Sequence, residues 1–182
     1  QIVGTGLYAP GKPIDNKELK ELTGIEFDES KIENKLGIKT RHMAKLRNLK
    51  ESTLDFAEGA VLNAIKEAGI NADEINLFIV ATDTPEFISP ATAIALQGRI
   101  QKKEMYNGAF DIGSSCGSFT SAFEAASRML KGDENLKYAV IAGVYNMPAY
   151  IKEKDAFGLS IFADGAGAII LKRVEDSEKS DY

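Results

Sequence analysis

The stretch from Phe110 to Phe119, FDIGSSCGSF, constrains the fold of this chain most strongly. It begins as a short apolar run typical of a buried strand and continues with small residues that favour a tight turn. Apolar side chains then recur at spacings of three and four, which predicts an amphipathic helix; they are Phe119, Ala122, Phe123, Ala126, Met129 and Leu130. We expect Ser114 or Ser115 to cap this helix. The chain's only cysteine, Cys116, lies where the helix begins.

A thiol at the start of a helix can act as a nucleophile. The start of a helix offers unpaired N–H groups and the positive end of the helix dipole, and both favour a thiolate. A thiolate is the nucleophilic form of cysteine, and the same N–H groups can stabilise the oxyanion that forms when a thioester carbonyl is attacked. The alternative is that Cys116 is a small buried hydrophobic residue, which is the commoner role of an arbitrary cysteine. This segment alone leaves both interpretations open.

Composition narrows the possible functions. The net charge of −5, with no cluster of Lys and Arg among aromatic residues, argues against nucleic-acid binding. One cysteine excludes an internal disulfide and a cysteine-based zinc site, and one histidine, His42, excludes a histidine-rich metal centre. No apolar run approaches the roughly 20 residues needed to cross a bilayer. We therefore expect no metal and no membrane insertion, and the mildly acidic balance fits a cytoplasmic protein.

Apolar strands alternate with helices along the 182 residues. The predicted strands are Ile2–Tyr8, Ile38–Met43, Leu77–Ala81, Gly108–Ile112, Tyr138–Gly143 and Ala168–Val174. The predicted helices, besides the one after Cys116, are Asp15–Leu22, Glu29–Leu36, Ser52–Ala68 and Ala91–Ile100. This order predicts an α/β fold with a mixed, largely parallel sheet and helices on its faces. Tyr145–Gly158 is expected to be irregular, and Ser160–Ala168 to be a strand end followed by a glycine-rich turn.

Two glycine-rich segments have the composition of phosphate-binding loops. Gly4-Thr5-Gly6 suggests a dinucleotide fingerprint, but Pro10 and Pro13 prevent the helix that the fingerprint needs directly afterwards. The segment Asp164–Ala168 is followed by a predicted strand instead of a helix. We therefore assign the glycines of both segments to backbone packing.

Four stretches, in this order and spacing, resemble the N-terminal half of the 3-oxoacyl-[acyl-carrier-protein] synthase III family, condensing enzymes with the thiolase fold. They are GIKTRH at 37–42, IVATDTP at 79–85, FDIGSSCGSF at 110–119 and FADGAGA at 162–168. The resemblance implies a thiolase-like βαβαβαββ half with a mixed five-stranded sheet and helices on its faces. Residues 1–182 would form this N-terminal half, and the polar run from Glu175 to Tyr182 would precede a C-terminal half that this chain lacks.

The resemblance also implies an activity. Cys116 would accept an acyl group from a thioester, with its own N–H helping to hold the oxyanion, and condense it with malonyl-acyl-carrier-protein in fatty acid biosynthesis. A His and an Asn of the second half would support decarboxylation, whereas His42 matches a position without a catalytic role. The implied partners are the acyl carrier protein, an acyl thioester and a second copy of the chain, paired through Gly108–Ile112. No cofactor is implied beyond the phosphopantetheine thioesters of coenzyme A or the carrier protein.

Three residues depart from the family pattern at substrate-binding positions. Lys31 and Lys35 stand where the family uses a Trp and an Arg to sandwich the adenine of coenzyme A, and an ammonium cannot stack as a flat group can. Priming by coenzyme A is therefore in question, although both lysines could attract phosphates. Ser89 stands where many bacterial members carry a Phe that closes the partner's acyl pocket, so a longer acyl chain could fit.

Two other functions remain open for the sequence. The chain could be a relative that binds a carrier protein or a partner subunit without catalysis. It could instead belong to a specialised acyltransferase of secondary metabolism. A downstream His and Asn in family context would favour the condensing enzyme over the binding protein.

Overall fold

The computed structural model describes residues 1–174 of the chain. Its strands are β1 (Ile2–Tyr8), β2 (Ile14–Asp15), β3 (Thr40–Arg41), β4 (Ile75–Ala81), β5 (Gly108–Ile112), β6 (Tyr138–Asn146) and β7 (Asp164–Lys172). Its α-helices are α1 (Asn16–Thr23), α2 (Glu29–Leu36), α3 (Thr53–Ala68), α4 (Thr92–Ile100), α5 (Ser118–Gly132) and α6 (Ala156–Ile161). Short 3-10 turns lie at Lys45–Arg47, Ala72–Glu74, Ser115–Gly117 and Met147–Ala149. No helix in this range is long and apolar enough to cross a membrane.

Within the described residues, five strands form one mixed sheet in the order β1-β7-β6-β4-β5. The pairs β4–β5 and β4–β6 are parallel, whereas β6–β7 and β1–β7 are antiparallel. The predicted α/β architecture with a mixed five-stranded sheet is therefore confirmed. Strand β5 lies at one edge, so the segment that delivers Cys116 has a free side along the sheet.

Helices cover both faces of this sheet. On one face, α3 and α4 pack against Phe78, Val80 and Val140, and on the other α5 packs against Leu77, Ile79 and Ile141. Burial on both faces explains why β4 is an unbroken apolar run.

The glycines of β1 allow α3 to lie directly against the strand. A Cβ at Gly6 would lie 2.0 Å from the carbonyl oxygen of Ala60, and one at Gly4 would lie 2.4 Å from that of Ala64. Neither position has room for any side chain, because the obstacle is backbone. Gly4 and Gly6 thus serve backbone packing, as the sequence analysis concluded.

Local signals explain where most helices begin and end. Asp15 and Asp28 accept hydrogen bonds from the first turns of α1 and α2, and Ser52 and Asp55 form a capping box on α3. Helix α4 is held differently. Its first N–H groups, on Thr92 and Ala93, donate to the carboxylate of Asp111 in β5 at 2.7 and 2.8 Å.

Several predicted elements need correction. The strand expected at Ile38–Met43 is only Thr40–Arg41, which pairs with β2. The region expected to be irregular contains part of the short helix α6, which lies in the connection between β6 and β7. Asp164–Ala168, expected to be a turn, is the beginning of β7. The polar run Glu175–Tyr182 lies outside the described residues.

The predicted apolar stripes of α3 and α5 are only partly buried. Leu62, placed in the α3 stripe, is 49% exposed, whereas Phe56 is fully buried. On α5, Ala122, Ala126 and Leu130 face the sheet. Phe119, Phe123 and Met129 are each almost two-fifths exposed. The small residues face the sheet because they let the helix approach it closely.

Candidate active site

Cys116 lies in the 3-10 turn between β5 and α5, with its thiol free and exposed. Strand β5 ends at Ile112, and α5 begins at Ser118 directly after the turn. Among residues 1–174, the Cys116 N–H donates no hydrogen bond. The thiol therefore stands beside an available main-chain donor and close to the positive end of a 15-residue helix. Within residues 1–174 the thiol is exposed and is not part of the apolar core.

The turn is held by hydrogen bonds around a strained residue. Ser115 has a φ of 50°, in the left-handed region that non-glycine residues seldom adopt, and its N–H donates to Asp83 Oδ1 at 3.1 Å. The Ser118 hydroxyl accepts from the Ser114 N–H and donates to the Ser115 carbonyl, both at 2.8 Å. The prediction that Ser114 or Ser115 caps the helix is wrong, because neither hydroxyl caps α5 and the closing hydroxyl is that of Ser118.

Cys116 opens onto a cavity of about 640 Å³ formed by segments that are distant in the chain. Apolar side chains dominate its walls, with Phe119 beside the thiol and Leu7 and Phe162 from other strands and loops. Tyr145, Asp83 and Asp164 supply polar groups. The cavity thus combines one nucleophile with an apolar space, which suits an acyl group bound as a thioester.

Asp164 is the most unusual polar residue of this cavity. It is 6% exposed, and its Oδ2 accepts from the Ala44 N–H at 2.8 Å. Its Oδ1 has no hydrogen-bond partner in the described part of the chain. Burial raises the pKa of Asp164 to about 6, and the Ala44 N–H opposes this rise in pKa only partly. The backbone of Asp164 also fastens β7 to the segment after β3, since the Asp164 N–H donates to the His42 carbonyl oxygen at 2.8 Å.

Tyr145 stands near the thiol on the same cavity wall. Its ring packs edge-to-face on Phe162, with 5.9 Å between the ring centroids. Burial is the main cause that raises the pKa of Tyr145, followed by the negative charges of Asp83 and of the Cys116 thiolate. The phenol therefore stays protonated and polar at the inner end of a largely apolar space.

The structure keeps the other predicted site residues away from Cys116. Lys31 and Lys35 are exposed on α2, and Ser89 is exposed in the loop before α4. None of the three lines the Cys116 cavity. His42 is also outside it, and its Nδ1 lies 3.1 Å from the Pro10 carbonyl and 3.2 Å from that of Gly11. These contacts suit the structural role predicted for His42.

Comparisons with known proteins agree with the resemblance found in the sequence. The family model for 3-Oxoacyl-[acyl-carrier-protein (ACP)] synthase III matches residues 110–181, which include the cysteine turn and β7. A beta-ketoacyl-[acyl-carrier-protein] synthase III of Wolbachia pipientis is 34% identical over 94% of this chain, and one of Xanthomonas campestris is 33% identical over 97%. Over nearly its whole length, the chain is similar to one half of a 3-oxoacyl-[acyl-carrier-protein] synthase III. It spans about half the length of the curated relatives it matches, 52% of each of these two.

Solved structures of the synthase III family share this fold. The enzyme of Aquifex aeolicus superposes with a TM-score of 0.85 at 31% identity, over 97% of this chain and 54% of that one. The priming beta-ketosynthase of the R1128 polyketide pathway gives a TM-score of 0.84 at 25% identity, over 96% of this chain and 50% of that one. The thiolase-like fold inferred from the sequence is confirmed.

Sequence reasoning missed three cavity residues that the structure brings to Cys116. Tyr145 was assigned to an irregular segment, Asp164 to a glycine-rich turn, and Asp83 to the loop after β4 without a role. A weak signal existed for Asp164, because an acidic residue directly before a buried apolar strand must either find partners or titrate abnormally. No comparable signal marked Tyr145, since its place depends on how β6 and β7 pair.

Proposed function

We propose that this chain carries the acyl-accepting half of a decarboxylating condensing enzyme, which joins an acyl thioester to malonyl-acyl-carrier-protein and forms 3-oxoacyl-acyl-carrier-protein in fatty acid biosynthesis. The observation that carries the proposal is the exposed Cys116, which stands beside a free main-chain N–H at the mouth of an apolar cavity. The names of the half-matched relatives support the same reaction class.

The first step is transfer of the acyl group to sulfur. After the thiol has lost its proton, Sγ of Cys116 attacks the thioester carbonyl and a new carbon–sulfur bond forms. The carbonyl oxygen becomes an oxyanion, to which the Cys116 N–H and the dipole of α5 offer positive charge. When this intermediate collapses, the carbon–sulfur bond to the carrier breaks, and the carrier leaves as a thiolate that takes up a proton. The thioester is conserved, so this step needs no redox cofactor.

The second step is condensation. In malonyl-acyl-carrier-protein the bond to the carboxylate breaks, carbon dioxide leaves, and the electron pair forms an enolate that attacks the carbonyl carbon of the acyl-cysteine. A carbon–carbon bond forms, the carbon–sulfur bond to Cys116 breaks, and the 3-oxoacyl product leaves on the carrier protein while Cys116 departs as a thiolate and can take up a proton. The enolate needs hydrogen-bond donors beside the acyl group. His42 does not line the cavity, so within residues 1–174 no histidine can supply them there. We propose that a His and an Asn of a further segment do so, and that the acyl carrier protein brings the malonyl group.

The proposal is tested by following acylation of Cys116. The chain is incubated with acetyl-, hexanoyl- and decanoyl-N-acetylcysteamine at neutral pH, and intact mass with peptide mapping locates the adduct. We expect one acyl group on Cys116, none in Cys116→Ala, and much slower acylation in Cys116→Ser, whose hydroxyl is the weaker nucleophile. A folded chain that reacts with iodoacetamide but with none of the thioesters would contradict acyl transfer.

A further inference from the structure

The inner surface of the cavity is formed by two neighbouring strands that change from large to small side chains towards Cys116. Residues two apart on a strand face the same side of a sheet. On the α5 side, β6 presents Ile141 and then Gly143, and β7 presents Ile169 and then Gly167 and Gly165. The large residues lie beneath α5, and the glycines lie beneath the turn that holds Cys116.

The strand register places these glycines side by side. Gly143 pairs with Gly167, and Gly165 pairs with the next residue of the same face, Tyr145. The glycine floor, defined as Gly143, Gly165 and Gly167, is therefore a continuous depression in the sheet surface. At Gly143 the ring of Phe119 occupies this depression, since a Cβ there would lie 2.9 Å from the ring. At Gly167 the depression is open, since a Cβ there would have only the Gly6 carbonyl oxygen, at 3.9 Å, within 4 Å. The absence of side chains on the floor therefore leaves space between the sheet and the turn that holds Cys116.

Tyr145 is the large side chain that this face of β6 presents beyond the floor. Its edge-to-face contact with Phe162 restricts the orientation of the ring. Both rings line the Cys116 cavity. The negative charges of Cys116 and Asp83 both raise the pKa of Tyr145, which places the phenol within electrostatic reach of the thiol. The Tyr145 ring and the Cys116 thiol line the same cavity, so the ring limits the space that an acyl chain on Cys116 can use.

We propose that the acyl chain carried by Cys116 lies on the glycine floor and ends against the ring of Tyr145, which makes Tyr145 the specificity-determining residue for acyl length. This inference rests on the proposed function, because the chain enters the floor only through the bond to Cys116. The floor and the ring favour short acyl groups. Ser89, which the sequence placed at the acyl pocket of a partner copy, does not line the cavity of its own chain.

The size of the expected effect follows from the chemistry of apolar pockets. One methylene too many for such a pocket costs roughly 10- to 200-fold in kcat/KM. Replacing Tyr145 with alanine removes the ring, and we expect the reactivity of long chains relative to short ones to rise at least about tenfold. Tyr145→Phe keeps the ring and loses only the hydroxyl, so it should keep the preference of the wild type.

The test separates acyl length from acyl transfer. Cys116 is labelled with N-methyl-, N-butyl- and N-octylmaleimide, which alkylate a thiol without any thioester chemistry, and the rates are measured by intact mass. The acyl-N-acetylcysteamine series described above is run in parallel on the same proteins. Tyr106→Ala is the matched control, because Tyr106 is fully exposed and lies outside the cavity. The rate for each long probe is divided by that for the short probe of the same variant, which cancels differences in folded fraction.

We expect the long-to-short ratio to rise in Tyr145→Ala in both series and to stay unchanged in Tyr145→Phe and Tyr106→Ala. Equal ratios in wild type and Tyr145→Ala would overturn the inference, as would a folded wild type whose Cys116 does not react with N-methylmaleimide. A Tyr145-dependent ratio with maleimides but no acylation by thioesters would keep the subsite and refute the proposed function. Acylation by the thioesters with unchanged ratios would keep the proposed function and refute the subsite.

Discussion

Replacement of Asp164 by asparagine tests the electrostatics at the inner end of the Cys116 cavity. Asp164 is almost fully buried, with one oxygen bonded to the Ala44 N–H and the other without a partner in the described residues. Asparagine has nearly the same shape and keeps an oxygen for the Ala44 N–H. The substitution therefore removes the ionisation of this side chain while leaving the packing in place.

The magnitude follows from the pKa of Asp164, which burial raises from 3.8 to about 6. The folded protein holds this proton more tightly than the unfolded chain does. Below pH 3.8 both states are protonated, and above about pH 6 both are ionised, so ionisation lowers the free energy of unfolding across that interval. A pKa difference of about two, at about 1.4 kcal/mol each, corresponds to about 3 kcal/mol. At pH 4 the unfolded chain is still partly ionised at this carboxyl, so from pH 8 to pH 4 the wild type should gain about 2.5 kcal/mol of stability relative to Asp164→Asn.

The assay is urea unfolding of wild type and Asp164→Asn at pH 4, 5, 6, 7 and 8, analysed as the difference between the two proteins. Carboxylates common to both largely cancel in this difference. Glu104→Gln is the control, because it makes the matching acid-to-amide change at an exposed position. A difference for Asp164→Asn that stays constant within about 0.5 kcal/mol, or one in which the wild type loses relative stability on acidification, would refute the reasoning.

Three further predictions follow from the fold and the family. Gly6→Ala should lower the free energy of unfolding by about 3 kcal/mol, because its Cβ would meet the Ala60 carbonyl oxygen. Gly98→Ala in α4 is the control and should not lower it, since a Cβ there meets nothing within 4 Å. Comparable denaturation midpoints for the two variants would contradict the prediction. A dimer should form through the free edge of β5, and sedimentation showing only monomer at micromolar concentration would oppose it. In the protein that contains this chain, Lys31 and Lys35 cannot supply base stacking, which is worth about 1–3 kcal/mol per base, so coenzyme A thioesters should bind roughly ten- to a hundredfold more weakly than in a relative that keeps the stacking pair. Carrier-protein donors avoid this loss, and equal or faster acylation of Cys116 from the matched coenzyme A donor would argue against the prediction.

The cysteine turn shows how far sequence reasoning reached. The bounds of β5 were predicted correctly, and the turn and helix after it were expected, because strand, turn and helix are local patterns. The details of the turn were not predictable. The Ser118 hydroxyl bridges two residues that the sequence offered as caps, and Ser115 adopts a strained conformation that an aspartate 32 residues away helps to hold.

The sequence by itself determined the α/β class, the starts of α1, α2 and α3, the family resemblance and the candidate nucleophile. These depend on residue periods, capping side chains and short motifs, all of which act between residues close in the chain. Only the tertiary structure decided what surrounds Cys116. Leu7, Tyr145 and Asp164 meet there because β1, β7 and β6 are neighbours in the sheet, and the same pairing joins the glycines into one floor. Sheet order is set by the burial of whole faces against α3 and α5, and no single segment of sequence contains that information.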